Sequence, residues 1–135
     1  MNIREAIRDY FAKQKDVLCV YLFGSVASGK ENRFSDVDIA VLFDKRAPRE
    51  EYSRRVLLMM DELSGLLDKN VDMVALNDAA SFLKFQVIKS GERIYESLDR
   101  HSRDFESAAI IEYFDFFPIR TRLEAAMISG IKSRF

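Results

Sequence analysis

The sequence holds very few of the residues from which disulfide and metal frameworks are built. It has one cysteine and one histidine among its 135 residues. Cys19 lies in the apolar run VLCVYLF, so we expect it in the core, unable to form an internal disulfide and consistent with a reducing cytoplasm. His101 has no His, Cys or acid pair nearby at metal-ligand spacing, and we expect it at the surface.

Long apolar runs and a strong excess of one charge are also missing from the sequence. No stretch approaches the roughly 18 apolar residues that a membrane-spanning helix needs. The N-terminal MNIREAIRDYF is too charged for a signal peptide. The 21 basic and 22 acidic residues give a net charge of −1, without the positive excess of proteins that bind nucleic-acid phosphates. We therefore expect no membrane partner and no direct nucleic-acid partner.

What the chain does have is a regular alternation of apolar runs and amphipathic segments. Its 135 residues suffice for one domain with a hydrophobic core. Continuous apolar runs predict three buried strands, and a shorter run predicts a fourth. These predicted strands are Val17–Phe23, Val37–Phe43, Val71–Leu76 and Arg93–Glu96.

Segments between and around these strands predict helices. Apolar residues at helical spacing indicate a first helix around Ile7 and a second that opens after Pro48. A third helix is expected to take Asn77 or Asp78 as its N-cap and to stop at Gly91. Strands alternating with helices in this way indicate an α/β (α+β) fold, in which helices flank a mixed sheet.

The composition changes near residue 98, so we expect a core over residues 1–97 and a helical extension over 98–135. Residues 105–117 have a helical pattern and end in the aromatic cluster YFDFF, before Pro118 stops or kinks the helix. Two interpretations stay open for this segment. The helix packs back over the sheet, or its surplus apolar side chains form a contact surface for another protein. Residues 121–135 suggest no role.

The turn after the first predicted strand resembles a P-loop only in part. Residues Gly24 to Lys30 read G-x-x-x-x-G-K, but a P-loop then needs Ser or Thr to hold magnesium, at the start of a helix. Here Glu31 follows, and the next strand begins at Val37, which leaves no room for a full helix. A P-loop ATPase is therefore a poor interpretation.

The same stretch fits a second pattern, in which Gly-Ser is followed after ten residues by Asp-x-Asp. Gly24 and Ser25 end the first strand, while Asp36 and Asp38 begin the second. Residues two apart on a strand point to the same face, so both carboxylates point the same way. An isolated D-x-D is usually a solvated strand end. Here it adjoins a buried strand and a glycine turn, which favours a pair of magnesium ligands.

A third carboxylate is needed if two divalent ions are to hold the attacking and leaving oxygens of a phosphoryl or nucleotidyl transfer. Asp72 in VDMVAL is the best candidate, because it lies early in the third strand between apolar neighbours. The alternative is a strand-end acid that faces water. Asp61, Asp68 and Asp78 fit less well, since each falls on a predicted helix or turn.

The pattern of Gly24-Ser25, Asp36-x-Asp38 and Asp72 resembles the DNA polymerase β-type nucleotidyltransferase superfamily. The short chain is similar to its minimal nucleotidyltransferase (MNT) branch. The ending, ERIYES…RDFESAAIIEYFDFFPI, is similar to the tail of MNT antitoxins from HEPN/MNT toxin–antitoxin pairs. The core motif spans residues 17–76, and the similarity of the tail extends to about residue 120.

This resemblance implies a polymerase β-like core and transfer of AMP from ATP to a tyrosine of a partner HEPN ribonuclease toxin, which silences the toxin. It implies that Gly24 lets the backbone approach the triphosphate and that Ser25 contacts the phosphates. Asp36 and Asp38 would bind two Mg²⁺ ions. Asp72 would complete the shell of the catalytic ion and help to deprotonate the attacking hydroxyl.

One position departs from the family pattern. Relatives often carry arginine after the alanine of the Gly-Ser loop, where this chain has Ser28. A charge facing the phosphates is therefore missing unless Lys30 or Arg33 replaces it. Both are candidate nucleotide-binding residues, and the alternative for both is a solvated loop charge.

Other functions share these residues. The chain could be an antitoxin that masks its toxin by binding, with catalysis dispensable, or a nucleotidyltransferase that acts on a small molecule or an RNA end. Members of the last kind usually carry a further substrate domain, for which the residues beyond Asp72 leave little room. The expected assembly is a cytoplasmic hetero-oligomer of this chain with its toxin.

Overall fold

A mixed four-stranded sheet forms the centre of the protein. The computed structural model describes residues 2–24, 36–98, 102–115, 122 and 125. The strands lie in the order β3-β2-β1-β4. β1 is antiparallel to both β2 and β4, whereas β2 and β3 are parallel, which confirms the predicted mixed sheet. The strands are β1 (Val17–Phe23), β2 (Val37–Phe43), β3 (Val71–Ala75) and β4 (Glu92–Glu96).

Helices cover both faces of this sheet. The helical bounds are α1 (Ile3–Ala12), α2 (Tyr52–Leu67), α3 (Ser81–Ser90) and α4 (residues 103–115). The carboxamide of Asn2 accepts a hydrogen bond from the Glu5 N–H at 3.2 Å and so caps α1. A short 3₁₀ turn, Arg49–Glu51, follows Pro48 and leads into α2, as the proline predicted. The second 3₁₀ turn, Leu76–Asp78, follows β3.

The two faces of the sheet carry different cores because side chains alternate along each strand. On one face α1 and α2 pack against the odd-numbered residues of β2, from Val37 to Phe43. On the other face the even-numbered residues Ala40 and Leu42 lie with Cys19 and with Val87 of α3, and Phe105 of α4 packs against them. The second cluster is the smaller one, and the candidate carboxylates Asp38 and Asp72 lie on its face of the sheet.

The predicted N-cap of the third helix is wrong. Asn77 instead binds the end of β2, where its side-chain oxygen accepts from the Phe43 N–H at 2.9 Å and its amide donates to the Phe43 carbonyl at 3.0 Å. Asp78 pairs with Arg49 at 3.0 Å. Both side chains are used by tertiary contacts, so α3 begins after Ala80 without a side-chain cap.

The predicted stop of this helix at Gly91 is confirmed. A Cβ on Gly91 would lie 2.4 Å from the Val87 carbonyl oxygen and 3.0 Å from that of Leu22, so only glycine lets α3 turn directly into β4. Cys19 is buried, as predicted, and burial raises the pKa of its thiol to about 11, which keeps it protonated. His101 lies outside the described residues.

The first interpretation of the aromatic segment is confirmed for part of α4, which packs on the sheet, while a contact surface for another protein stays a prediction. Phe105 and Ala109 pack toward the sheet, whereas Ile111 and Phe114 are exposed. Pro118 and most of the chain beyond it lie outside the described residues, so the division into a 1–97 core and a 98–135 extension stays a prediction. None of the helices in the described part of the chain combines the length and hydropathy that crossing a bilayer requires.

Candidate active site

Two of the candidate carboxylates lie side by side at one end of the sheet. The parallel register of β2 and β3 makes Asp38 and Asp72 direct partners, and alternation along the strands places both on the face covered by α3 and α4. Asp36 comes immediately before β2, two residues from Asp38. Asp36 and Asp72 are exposed and Asp38 is half-buried, so the three acids line an accessible edge.

The charges of these acids act on one another. The pKa of Asp38 is raised, first because the carboxyl is partly buried and then because the negative charges of Asp72 and Asp36 lie nearby. A carboxylate cluster that repels itself in this way is stabilised by a bound cation. Carboxylate oxygens are hard ligands of the kind that Mg²⁺ prefers, so the donor set fits that ion in its chemistry.

The described residues do not form a finished metal cage. No group of three His, Cys, Asp or Glu side chains in ranges 2–24, 36–98 and 102–115 is arranged to hold a metal ion. The structure therefore brings Asp38 and Asp72 together and keeps Asp36 close, while their role as metal ligands stays a prediction.

Gly24 has a role that the sequence did not reveal. It follows β1 directly, and Phe23 beside it is the direct partner of Asp38 across the antiparallel pair. Gly24 has a φ of +73°, and a Cβ built on it would lie 2.2 Å from Oδ2 of Asp38. The backbone of Gly24 thus lies against the carboxylate, and any side chain there would displace it. The other candidate nucleotide-binding residues, Ser25, Lys30 and Arg33, lie outside the described residues, as does Ser28.

A polar network beneath α4 shares this face of the sheet. The Tyr21 hydroxyl of β1 donates to Glu106 Oε1 at 2.5 Å, and Arg93 of β4 donates to the same oxygen at 3.0 Å. The Ser102 hydroxyl accepts from Arg93 at 2.9 Å and donates to Glu96 at 2.8 Å. Burial is the main reason that the pKa of Tyr21 is raised, so its hydroxyl remains a donor. We call these five residues the α4 latch, since they fix the start of α4 on the sheet.

Sequence reasoning missed the latch, although one signal was available. Tyr21 stands in the middle of a buried apolar strand, and a buried tyrosine hydroxyl needs a polar partner. The sequence did not indicate which distant residue would supply it, because Glu106 is 85 positions away.

Comparison with known proteins places this geometry in a family. Residues 5–100 match the family described as "Polymerase beta, Nucleotidyltransferase", and the match covers more than half of the chain. The chain therefore belongs to the polymerase β nucleotidyltransferase family, as the acid pattern predicted.

Particular relatives can then be compared with this chain. It is 36% identical over 98 residues to the protein adenylyltransferase MntA of Shewanella oneidensis strain MR-1, and the alignment covers 70% of this chain and 63% of MntA. This chain thus spans less than two thirds of the curated relative's length.

Solved structures share the fold over almost the whole chain. One is a chain of a crystal structure of a toxin–antitoxin complex with AMP-PNP, with a TM-score of 0.68, 22% identity, and coverage of 98% of this chain and 99% of that one. Another belongs to a complex of a tri-AMPylated HEPN toxin with an MNT antitoxin from Shewanella oneidensis. Its TM-score is 0.60 at 19% identity, with coverage of 98% and 99%. At these identities the likeness shows the fold.

Proposed function

We propose that this chain is a Mg²⁺-dependent nucleotidyltransferase that transfers AMP from ATP to a tyrosine of a cognate HEPN ribonuclease toxin and thereby acts as its antitoxin. The observation that carries the proposal is the register pairing of Asp38 with Asp72, on the same face of the sheet and beside Gly24. Three acids and a glycine that approaches one of them form the part of a nucleotidyl-transfer site that lies in the described residues.

The comparisons support this activity more specifically than the family alone. The relative at 36% identity is named a protein adenylyltransferase. One structural neighbour is a toxin–antitoxin complex with AMP-PNP, an analogue of ATP. Another contains a tri-AMPylated HEPN toxin with an MNT antitoxin. A HEPN toxin as acceptor, ATP as donor and a hetero-oligomer as the assembly are therefore the proposal for this chain, in the cytoplasm.

The residues divide the work of the transfer. Gly24 gives the triphosphate room to approach the backbone, and Ser25 contacts its phosphates, with Lys30 or Arg33 supplying positive charge. Asp72 accepts the proton of the acceptor hydroxyl. The hydroxyl oxygen then bonds to the α-phosphorus, the bond from that phosphorus to the bridging oxygen breaks, and pyrophosphate leaves.

Asp36, Asp38 and Asp72 are the residues that would hold the two Mg²⁺ ions. When bound, such ions offset the negative charge on the attacking and leaving oxygens. The carboxylates would hold these ions at the end of β2 and β3, where the parallel pairing of the two strands fixes the relative positions of Asp38 and Asp72.

The experiment is a transfer assay with the cognate HEPN toxin. Purified chain and toxin are incubated with Mg²⁺ and ATP labelled at the α-phosphate, and the toxin is analysed by gel and by tandem mass spectrometry. We expect label on a tyrosine of the toxin and loss of labelling with EDTA. In a parallel reaction with ATP labelled at the γ-phosphate, we expect the label to be released as pyrophosphate.

Asp61→Asn is the matched control for Asp38→Asn in this assay, because Asp61 is an exposed acid on α2, on the other side of the sheet. If the wild-type chain binds nucleotide and toxin but leaves no label on the toxin, the proposed AMP transfer to the toxin is wrong. Neutralisation of the toxin by Asp38→Asn would then favour masking by binding. Label on an added small molecule or RNA end in place of the toxin would change the acceptor.

A further inference from the structure

Large apolar side chains are exposed in two separate groups, on opposite sides of the sheet. Apart from Leu98, which follows β4, every large exposed apolar side chain in the described residues belongs to one of them. The first group lies on α2, at Leu57, Leu58 and Leu66, and the second lies on α3 and α4, at Phe82, Ile111 and Phe114. The side chains of both groups are about half exposed or more, so exposure alone does not say which group meets a partner.

The group on α3 and α4 stands on an ordered base. Phe85 of α3 stacks on Tyr113 of α4 with ring centroids 4.2 Å apart, and the Phe114 ring meets Phe85 edge-on at 5.8 Å. Glu112 of α4 pairs with Lys84 of α3 at 3.4 Å. The α4 latch holds the start of the same helix on the sheet. We call Phe82, Phe85, Ile111 and Phe114 the aromatic surface. It is held in place before any partner arrives, which lowers the entropy cost of binding.

The position of the active site indicates which of the two exposed groups contacts a protein acceptor. Asp38 and Asp72 lie on the face of the sheet that α3 and α4 cover, whereas α2 covers the opposite face. A protein acceptor has to bring its hydroxyl to within about 3–3.5 Å of the reacting phosphorus. Its contact surface is therefore continuous with the carboxylate face, and the aromatic surface is the exposed apolar region on that side.

We propose that the aromatic surface is the docking site for the protein acceptor, and that contact there holds the acceptor tyrosine against the carboxylate edge. This inference rests on the proposed function and names the part of this chain that recognises the substrate. The surface combines aromatic and aliphatic side chains with charges of both signs at its rim, including Lys89, whose ammonium lies 5.7 Å from the Phe85 ring centre. Its occupant is a folded protein that presents an apolar patch with a polar rim, as in ordinary protein interfaces.

The test is a kinetic comparison of matched variants. Phe82→Ser combined with Phe114→Ser removes two exposed rings, and Ile111→Glu puts a charge on the same surface while leaving the stack of Phe85 on Tyr113 in place. Leu57→Ser combined with Leu58→Ser is the control, since these side chains are 66% and 48% exposed against 57% for Phe82 and 55% for Phe114.

With labelled ATP and the HEPN toxin as acceptor, both changes to the aromatic surface should raise the KM for toxin at least about tenfold, as loss of interface anchors does. The affinity for AMP-PNP and the kcat at saturating toxin should stay at the wild-type values. The control pair should change neither constant. Melting temperatures within a few degrees of wild type establish that each variant is folded.

The outcomes separate this inference from the proposed function. Wild-type KM for toxin in folded Ile111→Glu and in the double serine variant overturns the docking site while AMP transfer stands. If the wild-type chain transfers no AMP, toxin binding measured by calorimetry carries the same comparison, and unchanged affinity in both variants overturns the inference. A wild-type chain that forms dimers alone, which Ile111→Glu dissociates without affecting toxin binding, also overturns it.

Discussion

The two faces of the sheet are built from the same strands but for different purposes. In β2 the residues Val37, Ile39 and Val41 enter a large apolar core under α1 and α2, whereas Asp38 and Ala40 alternate with them on the other face. The α1/α2 face holds the larger core. The α3/α4 face holds fewer buried apolar residues, and it carries the carboxylates and the α4 latch.

This difference shows how a small domain can keep charges at a fixed position. The apolar side chains of β2 on the α1/α2 face fix the strand in place. The position of Asp38 on the other face therefore does not depend on interactions made by its own carboxylate. Changes on the α1/α2 face should therefore alter stability, and changes on the α3/α4 face should alter activity.

The largest effect should come from the carboxylate edge itself. Asp38→Asn removes a negative charge flanked by Asp72 and Asp36, and we expect AMP transfer to fall at least about 1,000-fold, or about 4 kcal/mol in the activation barrier. Thermal stability should be kept or increased, because partial burial and then the negative charges of Asp72 and Asp36 disfavour the ionised carboxyl of Asp38. Single-turnover labelling and thermal melts measure the two effects. Transfer within tenfold of wild type would remove Asp38 from the site.

Glycine substitutions compare the faces directly. Gly24→Ala places a Cβ 2.2 Å from Oδ2 of Asp38 at a φ of +73°. It should lower AMP transfer about 100-fold, or about 2.7 kcal/mol in the barrier, and cost about 1–2 kcal/mol of folding free energy.

Gly65→Ala is the matched change on α2, where a Cβ would meet nothing within 4 Å. It should raise the free energy of unfolding by up to about 1 kcal/mol, as alanine does within a helix, and leave activity unchanged. Urea titration and initial rates distinguish the two variants. Equal activities in both would mean that Gly24 does not position the carboxylate.

The α4 latch should give an intermediate effect. Glu106→Ala leaves the Tyr21 hydroxyl and Arg93 without their shared acceptor and should cost about 1–3 kcal/mol in urea unfolding. Glu106→Gln retains a side-chain oxygen and should recover much of this loss. Because the latch also positions α4, Glu106→Ala should raise the KM for toxin while AMP-PNP affinity is kept. A variant that loses only stability would limit the latch to a structural role.

The smallest effect on stability should come from an ion pair on the α1/α2 side of the sheet. Arg55 of α2 donates to Asp16 at 2.5 and 2.9 Å, and this bonding is the main reason that the pKa of Asp16 is lowered from 3.8. A carboxyl whose pKa is lower in the folded state stabilises the protein above its unfolded-state pKa and loses that contribution as the pH falls through the folded-state value. Wild type should therefore lose more stability than Asp16→Asn between pH 5 and pH 2, by about 1 kcal/mol. AMP transfer at neutral pH should be the same in both proteins. If the free energies of unfolding of wild type and Asp16→Asn fall in parallel as the pH is lowered, the ion pair is not the source of the pH dependence.

Much of the fold could be read from local patterns. The bounds of β1 and β2 are those that the apolar runs predicted, and β3 and β4 differ by one residue at one end. These runs are long, continuous and ended by glycine or charge, so tertiary contacts have little to override. The predicted N-cap of α3 was wrong because tertiary contacts did override the local pattern there. Asn77 and Asp78 are good caps in isolation, but a strand end and Arg49 compete for their side chains.

The candidate site divides in the same way. Spacing and alternation predicted that Asp36 and Asp38 share a face, because period two is a property of every strand. The sequence offered Asp72 as the best third carboxylate, but its position beside Asp38 follows only from the parallel register of β3 on β2. The contact of Gly24 with Asp38 joins two chain segments across an antiparallel pair, so no local pattern contains it.

The sequence by itself determined the strands, the order of helices and strands, the acid pair at the start of β2 and the family to which they point. These depend on neighbouring residues and on backbone periodicity. Tertiary structure alone decided that Asp72 stands next to Asp38, that Glu106 binds Tyr21, and that the rings of Phe85 and Phe114 meet on the carboxylate side. Each of these pairs is distant along the chain, and packing two helical layers on one sheet is what brings their side chains into contact.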